Sequence, residues 1–426
     1  MYKRTAVSIL TLGVLLTAII FGCGKPPERG TGEAIKKVVE EEDVIKGEGY
    51  FVAVAVEDPT HSSGGTIAYS KDGVAWEVIP LMDKDDNEMS LGAVCYGDGK
   101  FVAVPFGKNN QVGYSSNGVD WKWIDDMQDK PDVSKSVYWR GVCYGDAGFV
   151  AVGYFQDIYT GGLIAHSSDG VKWEVNGDYD QNSSSWTSVC YGNGKYVAVS
   201  SQDFTSSEDG KTWEDAQKIG SKNYYHVVFY GNEKFIAITE DGGNIAEFDV
   251  ARSIWTETSY KSEVDYCHNF ASGCFGNGKF IVLADVTSGN APERTMVYSI
   301  DGTTWVVNKS MGYSSDSPLH WTSSCYGDGR FVAVSQAMNN NVEKVLTAYS
   351  DDGINWTASE PIKKNAAGKF VTSWKSVCYG RMDTTVLQQR IEYIEQNKDR
   401  LFASSKTKSD GSLLASIVKW IEELFS

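Results

Sequence analysis

Chemistry in this chain would have to come from its carboxylates, arginines and thiols. Two carboxylates about 5–10 Å apart would suit glycosidic bond cleavage. Acidic residues are plentiful, and Asp83, Asp85, Asp86 and Glu88 crowd one short stretch. That stretch offers oxygen ligands but lacks the glycine on which a calcium loop turns, so a solvated acidic loop is the simpler account. Arginine is the usual clamp for an anionic substrate; Arg140 and Arg294 are the two that fall beside variable segments. The chain has eight cysteines, a number that in an exported protein would suggest disulfides. Six of them, at 95, 143, 190, 274, 325 and 378, share one recurring position, and Phe229 fills it in a seventh copy. A slot that accepts Cys or Phe is an apolar packing slot, so these read as buried free thiols. Cys267 stands outside the pattern and is free to pair with Cys274 across CHNFASGC; Cys267-His268 offers too few ligands for a metal. No metal or cofactor is expected.

The recurrence extends well beyond the cysteines. SKDGVAW at 70–76 returns as SSNGVDW at 115–121, SSDGVKW at 167–173, SIDGTTW at 299–305 and SDDGINW at 350–356, with a longer SSEDGKTW at 206–213 and a worn DVARSIW at 249–255. A second phrase alternates with it, VCYGDGKFVAV at 94–104 being one of its copies. From Cys95 to Cys378 the steps between equivalent positions are 48, 47, 39, 45, 51 and 53 residues. Each unit holds four short runs rich in Val, Phe, Tyr and Trp, separated by Asp-Gly or Gly-Asp-Gly turns. Four antiparallel strands per unit, repeated radially, predict an all-β, seven-bladed β-propeller.

The first unit opens at Tyr50-Phe51-Val52-Ala53-Val54, already its second strand. The missing W-x-S-V-C-Y-G phrase appears after the last unit, at Trp374-Lys375-Ser376-Val377-Cys378-Tyr379-Gly380. Residues 374–379 are therefore expected to complete blade 1 and leave no open sheet edge. The competitor for that place is Asp43-Val44-Ile45-Lys46.

The N-terminus, MYKR and then an apolar run from Ala6 to Phe21, reads as an export signal. It ends in Ile20-Phe21-Gly22-Cys23, which resembles the lipobox of bacterial lipoproteins. The resemblance implies that Cys23 is acylated and becomes the mature N-terminus. Gly24 after it implies, by that family's sorting habit, an outer-membrane or surface location where the cell has two membranes. An ordinary signal peptide with an incidental Cys is the alternative. The expected organisation is a signal over 1–22, a tether over 23–46, a propeller over 47–380 and a helical tail over 381–426. Formal net charge is −17, and losing Lys3 and Arg4 with the signal makes it −19. Nucleic acid is a poor partner for such a surface.

The phrase S-x-D-G-x-x-W resembles the Asp-box, or BNR, repeat of sialidases and related propellers, written S-x-D-x-G-x-T-W. The copy at Ser206 fits that length, with Glu208 in the Asp place and Gly210, Thr212 and Trp213 matching, and five copies are one residue shorter. In that family the box is structural, so no function passes to Asp72, Asp169, Asp301 or Asp352. A sialidase also needs an arginine triad, a Tyr–Glu pair and an acid Asp. The family's early Arg-Ile-Pro motif is absent, and Arg252 lies in the worn turn, on the wrong face.

Strand direction alternates within a blade, so the 1–2 and 3–4 turns share one face and the long, unlike loops share the other. Variable loops on a rigid scaffold are where sites are built. Four residues before each Cys slot stand Leu91, Trp139, Trp186, Tyr225, Phe270, Trp321 and Trp374. The six aromatics form either a stacking ring around the mouth of the propeller or wedges between blades. Over 412–426, Leu413, Leu414, Ile417, Val418, Ile421, Leu424 and Phe425 give a helix one apolar face, for docking on the propeller or for self-association. The expectation is an envelope-anchored binding or scaffolding propeller with a protein or glycan partner. The rival is a glycan-cleaving hydrolase.

Overall fold

The computed structural model describes residues 49–56, 65–81, 89–107, 111–124, 127, 137–155, 162–176, 185–201, 203–219, 225–239, 244–250, 254–259, 267–286, 293–308, 319–337, 347–359, 362 and 373–381. Cys23, the acidic stretch 83–88 and the segment 412–426 lie outside them, as does Val44 with its neighbours. Gly49–Met382 is one compact unit. Its described strands are all antiparallel, and no helix occurs among the described residues. Five sheets have four strands each, and a sixth has eight, because two four-stranded sets are bridged at Phe106↔Tyr138 and Gly107↔Val137.

Within each set the order along the sheet is the order along the chain, except once. The first set runs Trp374–Arg381, Gly49–Ala55, Thr66–Ser70, Glu77–Pro80. Val52 stands opposite Cys378 and Ala53 opposite Val377. The last strand of the ring thus borders the first, and Gly49–Ala55 is paired along both of its edges.

The innermost strands are Leu91–Gly97, Val137–Gly145, Trp186–Gly192, Tyr225–Gly231, Cys267–Gly276, Leu319–Gly327 and Trp374–Arg381. Each touches the next in that order, and Trp374–Arg381 touches Leu91–Gly97. The sets therefore follow one another around a closed circle, the arrangement of a β-propeller. Packing explains the F-V-A-V phrase of the second strands. Phe101, Val102, Ala103 and Val104 are all buried, as are Phe331 to Val334, because both faces of every sheet meet a neighbour. Each apolar cluster is shared by two consecutive sets, as when Phe51 and Ala53 join Val332 and Val334 around Trp374.

The Tyr-Gly of V-C-Y-G makes a second circle. Each aromatic packs on the phenyl or phenol ring that begins the next strand, Tyr96 on Phe101 at 4.8 Å and Tyr191 on Tyr196 at 4.6 Å. Each glycine takes the ring of the following set against its bare Cα. A methyl on Gly192 would lie 2.1 Å from Tyr230, and one on Gly380 2.1 Å from Tyr96, which closes the circle.

The serine of W-x-S-V-C-Y-G reaches across to the next set. Val228 N–H donates to Ser188 Oγ (3.1 Å), Val377 N–H to Ser323 Oγ (3.1 Å), Val94 N–H to Ser376 Oγ (3.2 Å) and Ser324 N–H to Ser272 Oγ (2.8 Å). The free edge of an innermost strand has no further strand to pair with, and these hydroxyls supply the acceptors it lacks.

Candidate functional site

Each innermost strand carries the same irregularity at its loop-side end. Leu91 faces Pro105 and Ala93 faces Val104, so Gly92 has no partner. The ladder skips Arg140 between Trp139 and Gly141, Thr187 between Trp186 and Ser188, and His226 between Tyr225 and Val227. It skips Ala271 after Phe270, Thr322 after Trp321 and Lys375 after Trp374. A bulge leaves one residue outside the ladder and re-aims its side chain. Here each innermost strand has a bulge at the residue after the large apolar side chain, and Cys267–Gly276 has a second at Asn269; all lie at the end away from the Asp-Gly turns.

Three of these residues are basic. Arg140 is exposed, and its guanidinium carbon lies 5.9 Å from the centre of the Phe106 ring. Lys375 Nζ donates to Gln336 Oε1 at 2.9 Å. His226 Nδ1 is buried without a hydrogen-bond partner. Burial, and then the charge of Arg140, lowers His226 to about 4. The same two causes, in the same order, lower Lys375 to about 8. Arg140 acts on both although one innermost strand separates it from each, so its charge is felt at both bulges. The seven innermost strands contain no Asp or Glu, in a chain that has 56.

Thr187 and Thr322 hydroxyls donate to the Val199 and Val334 carbonyls. They stabilise their own bulges and leave the basic groups as the unspent polar chemistry of the rim.

The aromatics expected at this end are present but packed away. Trp139, Trp186, Tyr225, Phe270, Trp321 and Trp374 are between 0% and 6% exposed, and Leu91 is equally buried. They wedge between sets, so in this conformation their faces are not open to a ligand. The indole N–H groups of Trp321 and Trp374 find no acceptor. Among the sequence-derived candidates, Arg140 stands at the rim and Arg294 in the strand Glu293–Ser299. His226 and Lys375 were not anticipated. Their signal is the residue after each aromatic, the variable letter in W-x-S-V-C-Y-G.

The opposite face is built of regular turns. In SSDGVKW, Gly170 N–H donates to Ser167 Oγ (2.8 Å), Asp169 Oδ1 accepts from Val171 and Lys172 N–H (2.8 Å each), and Trp173 Nε1 donates to Gly170 O (3.2 Å). Asn117 Oδ1 does the same work in SSNGVDW. The expected longer copy at 206–213 is corrected: Ser207, Asp209 and Gly210 make these bonds, which puts SEDGKTW in register with the others. Neighbouring sets are linked here, Lys234 Nζ reaching Asp301 O (3.0 Å) and Arg330 Nη1 reaching Asp72 O (2.7 Å). The side chains of this face are thus occupied in holding turns.

The six slot cysteines are free thiols. Burial raises all of them, Cys274 to about 12, which leaves them protonated and unreactive. No group of three metal-ligating side chains occurs among the described residues.

No protein-family model matches the chain, and comparison with curated proteins gives no match. Comparison with solved structures gives distant likenesses. YCF48 bound to D1 peptide is 14% identical over 67% of this chain and 84% of its own, with a TM-score of 0.46. YCF48 from Cyanidioschyzon merolae is 13% identical over 70% and 90%, with a TM-score of 0.47. An inactive virginiamycin B lyase from Staphylococcus aureus, solved with quinupristin, is 11% identical over 68% and 93%, with a TM-score of 0.49.

Proposed function

We propose that the chain is a seven-bladed propeller lipoprotein of the cell envelope, held by a lipid on Cys23, that binds or scaffolds a protein or glycan without catalysing its turnover. The S-x-D-G-x-x-W turns are Asp-boxes in this reading and serve the fold alone. The observation that carries it is the circle of bulges, which gathers Arg140, His226 and Lys375 at one end of the axis with no carboxylate on the strands that bear them. A glycosidase would need two carboxylates converging there, so binding is favoured over hydrolysis.

The test pairs an envelope pull-down with a glycan array, using full-length protein and an Arg140→Glu, Lys375→Glu double variant. A partner retained by the wild type and lost by the folded variant is the expected result. Release of reducing sugar from any arrayed glycan would favour the hydrolase instead.

A further inference from the structure

Resting on the reading of the ring as a binding protein, we infer that the loop-side end of its axis is a carboxylate site, in which Arg140, His226 and Lys375 take an acidic side chain or a C-terminus of a partner protein. Position comes first. The three residues occupy equivalent bulges on the first, third and fifth of five consecutive innermost strands, Lys375 and His226 flanking Arg140 at equal remove. Gly92 and Thr187 hold the bulges between them, Gly92 close against the Trp139 carbonyl and Thr187 bonded to its own set, so neither adds a charge.

Sign comes second. A protein of net charge −17 has concentrated basic groups on strands that carry no acid at all. Basic groups gathered without a compensating acid attract an incoming counter-charge.

Unspent donors come third. Among the described residues Arg140 has no carboxylate partner, Lys375 bonds to the neutral Gln336, and His226 Nδ1 has no hydrogen-bond partner. The charge of Arg140 opposes that of Lys375, which is also withdrawn from water, and an entering anion relieves both costs.

The guanidinium fork selects a planar, two-oxygen acceptor. Beside it, Phe106 packs on Tyr138 at 4.4 Å and Tyr138 on Tyr154 at 5.9 Å, all three half-buried. This patch suits the methylene stem of an acidic residue or the apolar neighbour of a chain terminus. A sugar would need open aromatic faces, and the six aromatics beside the bulges are buried.

Fluorescein-labelled hexaglutamate, C-terminally amidated hexaglutamine and a hexameric uronic acid are titrated into the full chain at low and high salt. The expected result is salt-sensitive binding of hexaglutamate alone. Arg140→Gln and Lys375→Gln should each weaken it about 10- to 100-fold, the worth of one charge-assisted hydrogen bond. Arg140→Lys, which keeps charge and loses the fork, should fall between, with all variants still folded. Equal affinity in the folded variants, no binding of hexaglutamate, or binding of the uronic acid in its place overturns the site. An envelope partner retained equally by wild type and by Arg140→Gln, Lys375→Gln also overturns it, while leaving the binding reading intact. Hexaglutamate binding that the variants abolish, with no partner recovered from the envelope, supports the site and removes the broader reading.

Discussion

At the scale of single residues, the two ends of the ring obey different rules. Asp209 is held at about 2 because Thr212 and Lys211 N–H donate to it. The bonds of Asp169 to Val171 and Lys172 are of the same kind. Asp169→Ala should therefore cost about 1–2 kcal/mol in denaturant unfolding, at about 1 kcal/mol per hydrogen bond, with ligand affinity unchanged. Asp169→Asn should cost far less, because Asn117 already serves in an equivalent turn. An Asn variant as damaged as the Ala variant would show that charge, and not the acceptor, holds the turn. His226 behaves oppositely. Its folded value of about 4 lies below the ordinary 6.5, so between these values the unfolded chain binds a proton that the folded chain refuses. Stability should be full above pH about 6.5 and fall toward pH 4. Unfolding midpoints measured across this window should slope for the wild type and flatten for His226→Gln. Equal slopes would mean that the imidazole is solvated.

At the scale of strands, the decisive element is Trp374–Arg381. A chain stopped after residue 368 loses the strand that borders Gly49–Ala55, and with it Trp374 and Val377 from their apolar cluster. One stopped after residue 382 keeps them. The shorter chain should lose much more than the roughly 1 kcal/mol of an average substitution. Indistinguishable melting of the two would show that the ring stands without its last strand. Strand order and the place of this seam were legible because each unit repeats the same turn chemistry, and Asp-Gly fixes a hairpin wherever it falls. Strand ends were less legible. Val171 and Trp173 are strand-forming residue types, yet they belong to the turn, and the strand is Glu174–Asn176. The bulges were invisible for a related reason. A skipped pairing partner leaves no mark on apolar periodicity, so His226 and Lys375 passed as ordinary strand positions. The aromatic beside each bulge drew attention by its size, and size is what packing uses.

At the scale of the whole molecule, attachment is a separate question from folding, and Cys23 carries it. Palmitate fed to cells making the protein should label the wild type and spare Cys23→Ala. Equal labelling of both, or of neither, would remove the lipid from the account. Should the anchor stand, the seam acquires a directional meaning. Gly49 and Arg381, where the chain enters and leaves the ring, face each other across one antiparallel pair. That pair lies at the turn end of its strands, level with Asp98-Gly99 and opposite the bulge at Lys375. Both ends of the described ring therefore stand at its turn side. The bulges of Arg140, His226 and Lys375 stand at the opposite end of the innermost strands.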